Sequence, residues 1–145
     1  MELNFRFAKS EDIKELIDVC NLCFEENTDY DKALRVFQDT YDDPNQLYLI
    51  GTLDGKIVAH TKITIVPTLF DGMDTFAILN HVCVLPEYRR HHIADHMMDV
   101  IKKVCKERGC VSIKLWSCNF RVPAHKCYMK HGFEALDAKF FYFDC

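Results

Sequence analysis

This 145-residue sequence has no long apolar run, and it shows no leader in which a charged segment is followed by an apolar one. We therefore expect neither a membrane span nor a secretory signal, and we expect a cytosolic protein. An excess of positive charge is missing as well, because 18 Lys and Arg stand against 22 Asp and Glu and the formal net charge is −4. We expect no general attraction to nucleic acid, so any basic patch must be local.

Repeats, low-complexity segments and linkers are also absent, and the chain has the length of one typical domain. Its hydrophobic fraction is 49%, and its 11 Phe are ample for a packed core. We therefore predict a single domain over residues 1–145.

Eight cysteines are present, which raises the alternatives of a disulfide framework, a metal site and buried thiols. Most of them, such as Cys83, lie in apolar periodic stretches, where free cysteine is a common small core residue. Cys20 and Cys23 form one Cys-x-x-Cys pair, without a second pair at zinc spacing. His92 and His96 are one helical turn apart, but the spacing indicates no third ligand. We therefore predict no metal site.

Hydrophobic periodicity predicts a mixed α/β sheet with helices on its faces, in the order β-α-α-β-β-β-α-β-α-β-β. Asp54 and Gly55 predict a tight hairpin turn, and Asp71 and Gly72 predict a second turn. A helical crossover should place the next strand parallel to its predecessor. The predicted elements are a strand at Leu3–Phe7, a helix capped by Ser10 and reaching Phe24, a helix at Tyr30–Thr40, strands at Gln46–Leu53, Lys56–Val66 and Asp74–Val84, a helix from His91 to about Arg108, a strand at Cys110–Trp116, a helix at Pro123–Lys130, and two strands of which the last is Lys139–Asp144.

The segment 84–94 joins a strand to a helix through a basic turn. Pro86 ends the strand because proline has no N–H for a sheet ladder, and helical spacing of apolar residues begins at Ile93. The free N–H groups of the first helical turn therefore lie just after Arg89 and Arg90. A phosphate group fits such a helix end, and the arginines add charge-assisted hydrogen bonds. The alternative is a solvated loop with a chance pair of arginines.

The same segment resembles the acetyl-CoA-binding motif of the GNAT superfamily of N-acetyltransferases, in which a strand, a proline and Arg/Gln-x-x-Gly-x-Gly/Ala lead into a helix. Here the final small residue is kept, and His92 stands in place of the first glycine, whose backbone freedom a histidine lacks. The resemblance implies the acyl-CoA N-acyltransferase fold and a loop whose N–H groups bind the CoA pyrophosphate. The cofactor-binding residues it implies are Arg89, Arg90, His91, His92, Ile93, Ala94 and Asp95.

A second landmark lies at residues 124–133, which resemble the superfamily's Ala-x-x-x-Tyr-x-x-x-Gly-Phe segment. Ala124, Tyr128, Gly132 and Phe133 all stand at the matching spacing. The resemblance implies that the Tyr128 hydroxyl protonates the departing CoA thiolate. A phenol with a pKa of about 10 stays protonated at neutral pH, which suits a general acid. The alternative is an aromatic core residue on a short helix.

The strand 77–84 resembles one that carries a glutamate base in many members, and Asn80 occupies the glutamate's position. An amide cannot accept a proton at neutral pH. His81 is a candidate base, but its side chain should point to the opposite face unless the strand bulges there. His60 on the neighbouring strand is another candidate, and a chain of waters would also carry the proton. We expect Asn80 and His81 to line the site.

The resemblance also implies that the strand backbone at Val82, Cys83 and Val84 pairs with the pantetheine arm and polarises the thioester carbonyl. Cys83 is an alternative acyl acceptor, although direct transfer is the usual mechanism of the family. Arg121 takes the place of an asparagine that bonds pantetheine or substrate, and Asn119 lies two residues earlier. A solvated arginine is the alternative for Arg121.

Three hypotheses result. The leading one is an acyltransferase that uses acetyl-CoA as cosubstrate and transfers its acetyl group to a primary amine by direct attack, without a metal. The second keeps the fold and the CoA site as a binding or sensing module, because His92 and Asn80 depart from the motifs. The third is a metal or redox protein. The sequence does not identify the acceptor, which is a small-molecule or protein amine in the leading hypothesis, and the resemblance makes a homodimer plausible.

Overall fold

The structure is a computed structural model that describes residues 2–69 and 74–145. The predicted turn at Asp71 and Gly72 lies outside these residues. The described elements are β1 (Leu3–Phe7), α1 (Ile13–Phe24), α2 (Tyr30–Thr40), β2 (Gln46–Leu53), β3 (Lys56–Val66), β4 (Phe76–Val84), α3 (Ile93–Glu107), β5 (Ser112–Lys114) and α4 (Val122–Lys130).

The five strands form one sheet in the order β1-β2-β3-β4-β5. The first four are antiparallel, and β5 lies parallel to β4 after the α3 crossover, as predicted. The hairpin turn between β2 and β3 is confirmed, because Asp54 and Gly55 both have the positive φ, 50° and 86°, that such turns require. The mixed α/β class is therefore confirmed.

The core covers both faces of the central strands. Consecutive residues Leu49 and Ile50 on β2, and Val58 and Ala59 on β3, are all buried, although successive side chains point to opposite faces. The α3 helix contributes the buried stripe Ile93, Met97, Met98, Ile101 and Cys105. Continuous burial of this kind holds the central strands, and hence the end of β4, in place.

The predicted start of α1 at Ser10 is wrong. Residues Ser10–Asp12 form a single 3-10 turn, and the α-helix begins at Ile13. The N-cap residue of this turn is Lys9, whose N–H donates to the Asp12 carboxylate at 2.7 Å, and the same carboxylate pairs with Arg6 at 2.7 Å. A charged partner from β1 thus outcompetes the local preference of serine for the N-cap position.

The two strands predicted after α4 are also wrong, because residues 134–145 contain no strand. The aromatic side chains of Phe140, Phe141, Tyr142 and Phe143 are 64–85% exposed. Residues with strand propensity form a strand only where a partner edge is available. β5 is also shorter than predicted, because it spans Ser112–Lys114 instead of Cys110–Trp116. A cleft of about 400 Å³ lies between the end of α3, β5 and residues 131–136.

None of the described helices is both long and apolar enough to cross a membrane.

Candidate active site

A β-bulge in β4 distorts the strand where the sequence places Asn80 and His81. His60 pairs with Cys83 and Lys62 pairs with Asn80, so that Thr61 alone faces two residues of β4. His81 has a left-handed φ of 54°, a conformation that costs a non-glycine residue about 1 kcal/mol. The Thr61 hydroxyl donates to the Asn80 carbonyl at 3.0 Å and supports the bulge. The bulge on which the candidacy of His81 depended is therefore present.

The bulge brings His81 to the end of α1. Its side chain is exposed, and its ring meets Phe24 edge-on with a centroid distance of 5.2 Å. Phe24 also lies under the Arg121 guanidinium, whose central carbon is 5.2 Å from the ring centroid. The end of α1, the bulge of β4 and the start of α4 thus meet around one aromatic ring.

His60 is excluded from direct contact with this surface by its position in the core. It is 5% exposed, and its Nδ1 lies 2.7 Å from the Leu49 carbonyl oxygen. Burial lowers the pKa of His60 to about 4, so the ring is neutral at physiological pH. The structure therefore gives His60 a structural place inside the sheet.

The sheet opens beside the bulge. Parallel pairing of β4 with β5 covers only three positions, from Phe76 to Ile78, in the described part of the chain. Among residues 2–69 and 74–145, no strand pairs on that side with the rest of β4, which includes Val82, Cys83 and Val84. Backbone groups on a free strand edge are available to an extended ligand.

Tyr128 lies on α4, across this opening. Its ring packs against Phe133 at a centroid distance of 5.9 Å, and burial raises its pKa while the charge of Arg121 opposes that shift. Cys83 on β4 is a further, smaller cause of the raised pKa of Tyr128. Tyr128 is therefore a protonated, half-buried hydroxyl at neutral pH.

A thiol that the sequence did not single out completes this group. Cys23 lies in the last turn of α1, where a hydrogen bond from the Cys83 thiol and the charges of Arg89 and Arg121 lower its pKa to about 7. The pKa of Cys83 is instead raised, by its contacts with Cys20 and Cys23 and by burial. The Cys-x-x-Cys spacing was visible in the sequence, but the two arginines come from distant segments.

The basic loop lies at the end of β4. A 3-10 turn at Pro86–Tyr88 follows the strand, and the Arg89 Nε donates to the Val84 carbonyl at 3.0 Å. Arg90 and His92 adopt left-handed φ values of 65° and 61°. Side chains of residues 89–92 are exposed, Ile93 is buried and Ala94 is half-buried. The predicted arrangement, two arginines followed directly by the free N–H groups of a helix, is present.

Asp95, in the first turn of α3, has a carboxylate that lies between the loop residue His92 and the end of α4. It accepts from His131 Nε2 at 2.8 Å and from the Lys130 ammonium at 3.2 Å, and His92 Nδ1 lies 3.0 Å from it. These contacts, that with His131 first, hold the pKa of Asp95 well below its usual range. The carboxylate therefore ties the loop helix to the helix that carries Tyr128.

One group of metal-ligating side chains occurs among the described residues. Ligand atoms of Asp95, Cys127 and His131 lie within 4.8 Å of one another. The Lys130 ammonium already neutralises the carboxylate, so the network is balanced in charge as it stands. Asn119, the remaining residue predicted for cofactor binding, is exposed in the turn that precedes α4.

Known proteins share this architecture. A model of the acetyltransferase (GNAT) family matches residues 11–133. Among solved structures, a transcriptional regulator from Bacillus halodurans shares 21% identity at a TM-score of 0.88, covering 98% of this chain and 100% of its own. An aminoglycoside antibiotic 6'-N-acetyltransferase from Acinetobacter baumannii shares 18% at 0.80, covering 99% of each chain.

A protein from Clostridium acetobutylicum, named as a predicted acetyltransferase and solved with acetyl-CoA, shares 22% identity at a TM-score of 0.77, covering 98% of this chain and 96% of its own. At these identities the solved structures establish the fold alone. The family match spans most of the sequence and includes the basic loop, the bulged strand and the Tyr128 segment. The chain belongs to the acetyltransferase (GNAT) family.

Proposed function

We propose that this protein is an acetyl-CoA-dependent N-acetyltransferase that transfers the acetyl group to a primary amine by direct attack on the thioester. The observation that carries the proposal is the meeting of Tyr128, Arg121 and the bulged end of β4 at the opening of the sheet, next to the basic loop. A structural relative named as an amine-acetylating enzyme and another solved with acetyl-CoA support the class of reaction.

In this proposal the cofactor lies along β4 and ends at the basic loop. The backbone N–H groups of His91, His92, Ile93, Ala94 and Asp95 bind the pyrophosphate at the start of α3, where the helix dipole favours an anion. Arg89 and Arg90 add charge-assisted hydrogen bonds from exposed side chains. The Asp95 carboxylate takes no part because it is held by α4.

The acetyl end of the cofactor lies at the open edge of β4. The pantetheine arm extends along Val82, Cys83 and Val84, whose backbone groups have no strand partner on that side in the described part of the chain. A backbone N–H of this edge then polarises the thioester carbonyl as negative charge develops on its oxygen. Arg121 and Asn119 reach the pantetheine or a polar group of the acceptor.

The reaction requires one proton to leave the amine and one to reach the sulfur. The amine nitrogen attacks the thioester carbonyl, the carbon–sulfur bond breaks, and Tyr128 donates its proton to the CoA thiolate. His81 is exposed at the bulge and accepts the amine proton directly or through water, whereas Asn80 lines the site without acting as a base. Positioning of the two reactants supplies much of the rate.

The test measures both acetyl-CoA binding and acetyl transfer. Calorimetry should show acetyl-CoA binding, and incubation with acetyl-CoA and a panel of primary amines, aminoglycosides included, should release CoA thiol. Absence of CoA and acetyl-CoA binding at millimolar ligand would overturn the proposal. The same preparation, examined by gel filtration with light scattering, reports whether residues 1–145 act as one domain that is a monomer or a homodimer.

A second candidate function is a CoA-binding or sensing module without catalysis. It is favoured by His92, which holds a left-handed φ of 61° where the motif has glycine, and by Asn80, which cannot replace a glutamate base. One of the structural relatives is named as a transcriptional regulator. Tight acetyl-CoA binding with no thiol release across a broad amine panel would favour this function.

A further inference from the structure

A cluster of three metal-ligating side chains lies where the start of α3 meets the end of α4. Asp95 comes from the first turn of α3, Cys127 comes from α4, and His131 is the residue at which α4 ends. One potential ligand atom from each of the three lies within 4.8 Å of the other two. A carboxylate oxygen, a thiol sulfur and an imidazole nitrogen therefore meet in one small volume.

The spacing of Cys127 and His131 suits a shared ion. They are four residues apart, and the His131 N–H donates to the Cys127 carbonyl at 3.2 Å, so both side chains lie on one face of the same helical turn. Two ligands one helical turn apart are a common part of zinc sites. The spacing of cysteines and histidines alone does not reveal this set, because its third member, Asp95, lies 32 residues before Cys127 (127 − 95).

The distances within the cluster fit a tetrahedral ion after small side-chain movements. Zinc bonds to nitrogen, oxygen and sulfur of about 2.0–2.3 Å place neighbouring ligand atoms about 3.3–3.8 Å apart. His131 Nε2 and Asp95 Oδ1 are 2.8 Å apart as hydrogen-bond partners, so this pair opens slightly when an ion enters. The Cys127 sulfur, which lies within 4.8 Å of both, approaches by about 1 Å or less.

The charges of the cluster balance around Zn²⁺. Asp95 is an anion, because its partners hold its pKa well below the usual range. Burial and the charge of Asp95 raise the pKa of Cys127, which is a neutral thiol without an ion and loses its proton when a divalent cation binds the sulfur. One carboxylate, one thiolate and the neutral ring of His131 then give an electroneutral zinc site.

Lys130 supplies the positive charge that the ion replaces. Its ammonium lies 3.2 Å from the Asp95 carboxylate, and its side chain is 63% exposed, so it moves into solvent at little cost. The ring proton of His131 then shifts from Nε2 to Nδ1, and Asp99 Oδ1 lies 3.8 Å from Nδ1. A carboxylate on the far side of the ring is the usual partner that orients a metal-bound histidine.

We infer that Asp95, Cys127 and His131 form a Zn²⁺ site whose fourth position is taken by water, since all three residues are half-buried and leave the ion accessible. The ion joins the first turn of α3, which follows the basic loop, to the helix that carries Tyr128. Its role is structural, and it goes beyond the proposed function, in which acetyl transfer requires no metal.

The experiment titrates full-length protein that has been freed of metal by a chelator and kept reduced by a non-thiol reductant. Co²⁺ serves as the spectroscopic probe for Zn²⁺. We expect one Co²⁺ per chain, with the strong d–d absorption of a four-coordinate site and the charge-transfer band of a single thiolate, and Zn²⁺ should displace it. Saturation with Zn²⁺ should raise the Tm by about 5–10 °C, because the ion binds only the folded state.

Substitutions assign the ligands. Cys127→Ser and His131→Gln should each remove the thiolate-cobalt spectrum or alter it, and each should weaken Zn²⁺ affinity by about 100-fold or more, since even the partners of a ligand contribute about 10–100-fold. The matched controls are Cys118→Ser and His96→Gln, at exposed positions on the turn before α4 and on α3, and both should bind Zn²⁺ as the wild type does. Circular dichroism of the metal-free variants verifies that they are folded.

The wild-type spectrum decides the matter even if a variant fails to fold. Failure to bind Co²⁺ and Zn²⁺ at micromolar concentration overturns the inference, and so does a charge-transfer band of two or more thiolates, which would place the ion at a pair such as Cys20 and Cys23. Unchanged Zn²⁺ affinity in folded Cys127→Ser, or its loss in His96→Gln, overturns it as well. None of these results bears on acetyl-CoA binding, so the proposed function is tested separately.

Discussion

The two ends of the proposed cofactor cleft are built by different means. At the phosphate end, exposed residues of the basic loop offer backbone N–H groups, and Arg90 and His92 hold left-handed conformations to do so. At the acyl end, the side chains are more enclosed: Cys83 is buried and Tyr128 is half-buried, and burial raises the pKa of Tyr128. The difference implies that substitutions in the loop change affinity, whereas substitutions at the acyl end change the rate of the chemical step.

Tyr128→Phe tests the acyl end of the cleft and has the largest expected effect, which is on kcat. Removal of the hydroxyl removes the proton donor for the CoA thiolate but keeps the ring packed on Phe133. We expect kcat to fall by about 100-fold, the lower range for loss of general acid catalysis. The acetyl-CoA Kd, measured by calorimetry, should change little. An equal loss of affinity would mean that Tyr128 acts in binding and would break the distinction between the two ends.

Arg89→Ala is the corresponding substitution at the phosphate end. It removes a cation next to the start of α3 and the hydrogen bond to the Val84 carbonyl. A hydrogen bond from a charged group contributes roughly 1.5–3 kcal/mol, so acetyl-CoA affinity should weaken by at least 10-fold. Arg35→Ala, an exposed arginine on α2, is the control and should leave the Kd unchanged. A drop in kcat with an unchanged Kd would contradict the assignment.

The sequence was sufficient to predict those helices and strands whose ends are set by capping and turn residues close to them in the chain. The predicted bounds of α2, β2 and β3 coincide with the observed Tyr30–Thr40, Gln46–Leu53 and Lys56–Val66. The side chain of Asp29 caps α2 by accepting from the Lys32 N–H at 2.9 Å, and the Asp54–Gly55 turn separates the two strands. Such signals act within a few residues, so the sequence carries them in full.

Features that depend on distant partners could not be predicted in this way. The aromatic segment 139–144 has the composition of a strand but forms none, because pairing needs an edge that another part of the chain must supply. The bulge at His81 depends on the register between β3 and β4. The lowered pKa of Cys23 depends first on Cys83 and then on two arginines, which lie 66 and 98 residues further along the chain (89 − 23 and 121 − 23). The motif residues were visible in the sequence, and the surroundings that tune them were not.

His92→Gly tests the phosphate end of the cleft, and we expect it to have a smaller effect than Arg89→Ala, in the form of a gain in affinity. The left-handed φ of 61° at this position costs histidine about 1 kcal/mol that glycine does not incur. Glycine also has no Cβ next to the approaching phosphate. We expect acetyl-CoA to bind several-fold more tightly, with kcat unchanged. Asp54→Gly relieves a similar φ of 50° in the distant β2–β3 turn and should not alter affinity. Weaker binding by His92→Gly would show that the imidazole itself contacts the cofactor.

Asp95→Asn addresses the link between the two ends, because this carboxylate joins α3 to α4 through His131 and Lys130. The partners hold the pKa of Asp95 below its usual value, so its stabilisation is fully present above the unfolded pKa of about 4 and declines as the pH falls further. For this partly exposed network we expect the variant to lose about 1 kcal/mol of unfolding free energy at pH 7.

Urea unfolding of wild type and Asp95→Asn, followed from pH 7 to pH 3, measures that loss. The difference between the two proteins should narrow below pH 4, whereas Asp39→Asn, an exposed aspartate on α2, should show no such convergence. A constant difference across the pH range would assign the effect to packing instead of charge. Because the Asp95 carboxylate takes no part in the proposed cofactor binding, we expect Kd and kcat to change less than the stability does. If Kd and kcat both change strongly in Asp95→Asn, the two ends of the cleft are coupled through α3 and α4. A substitution at one end would then affect affinity and rate together.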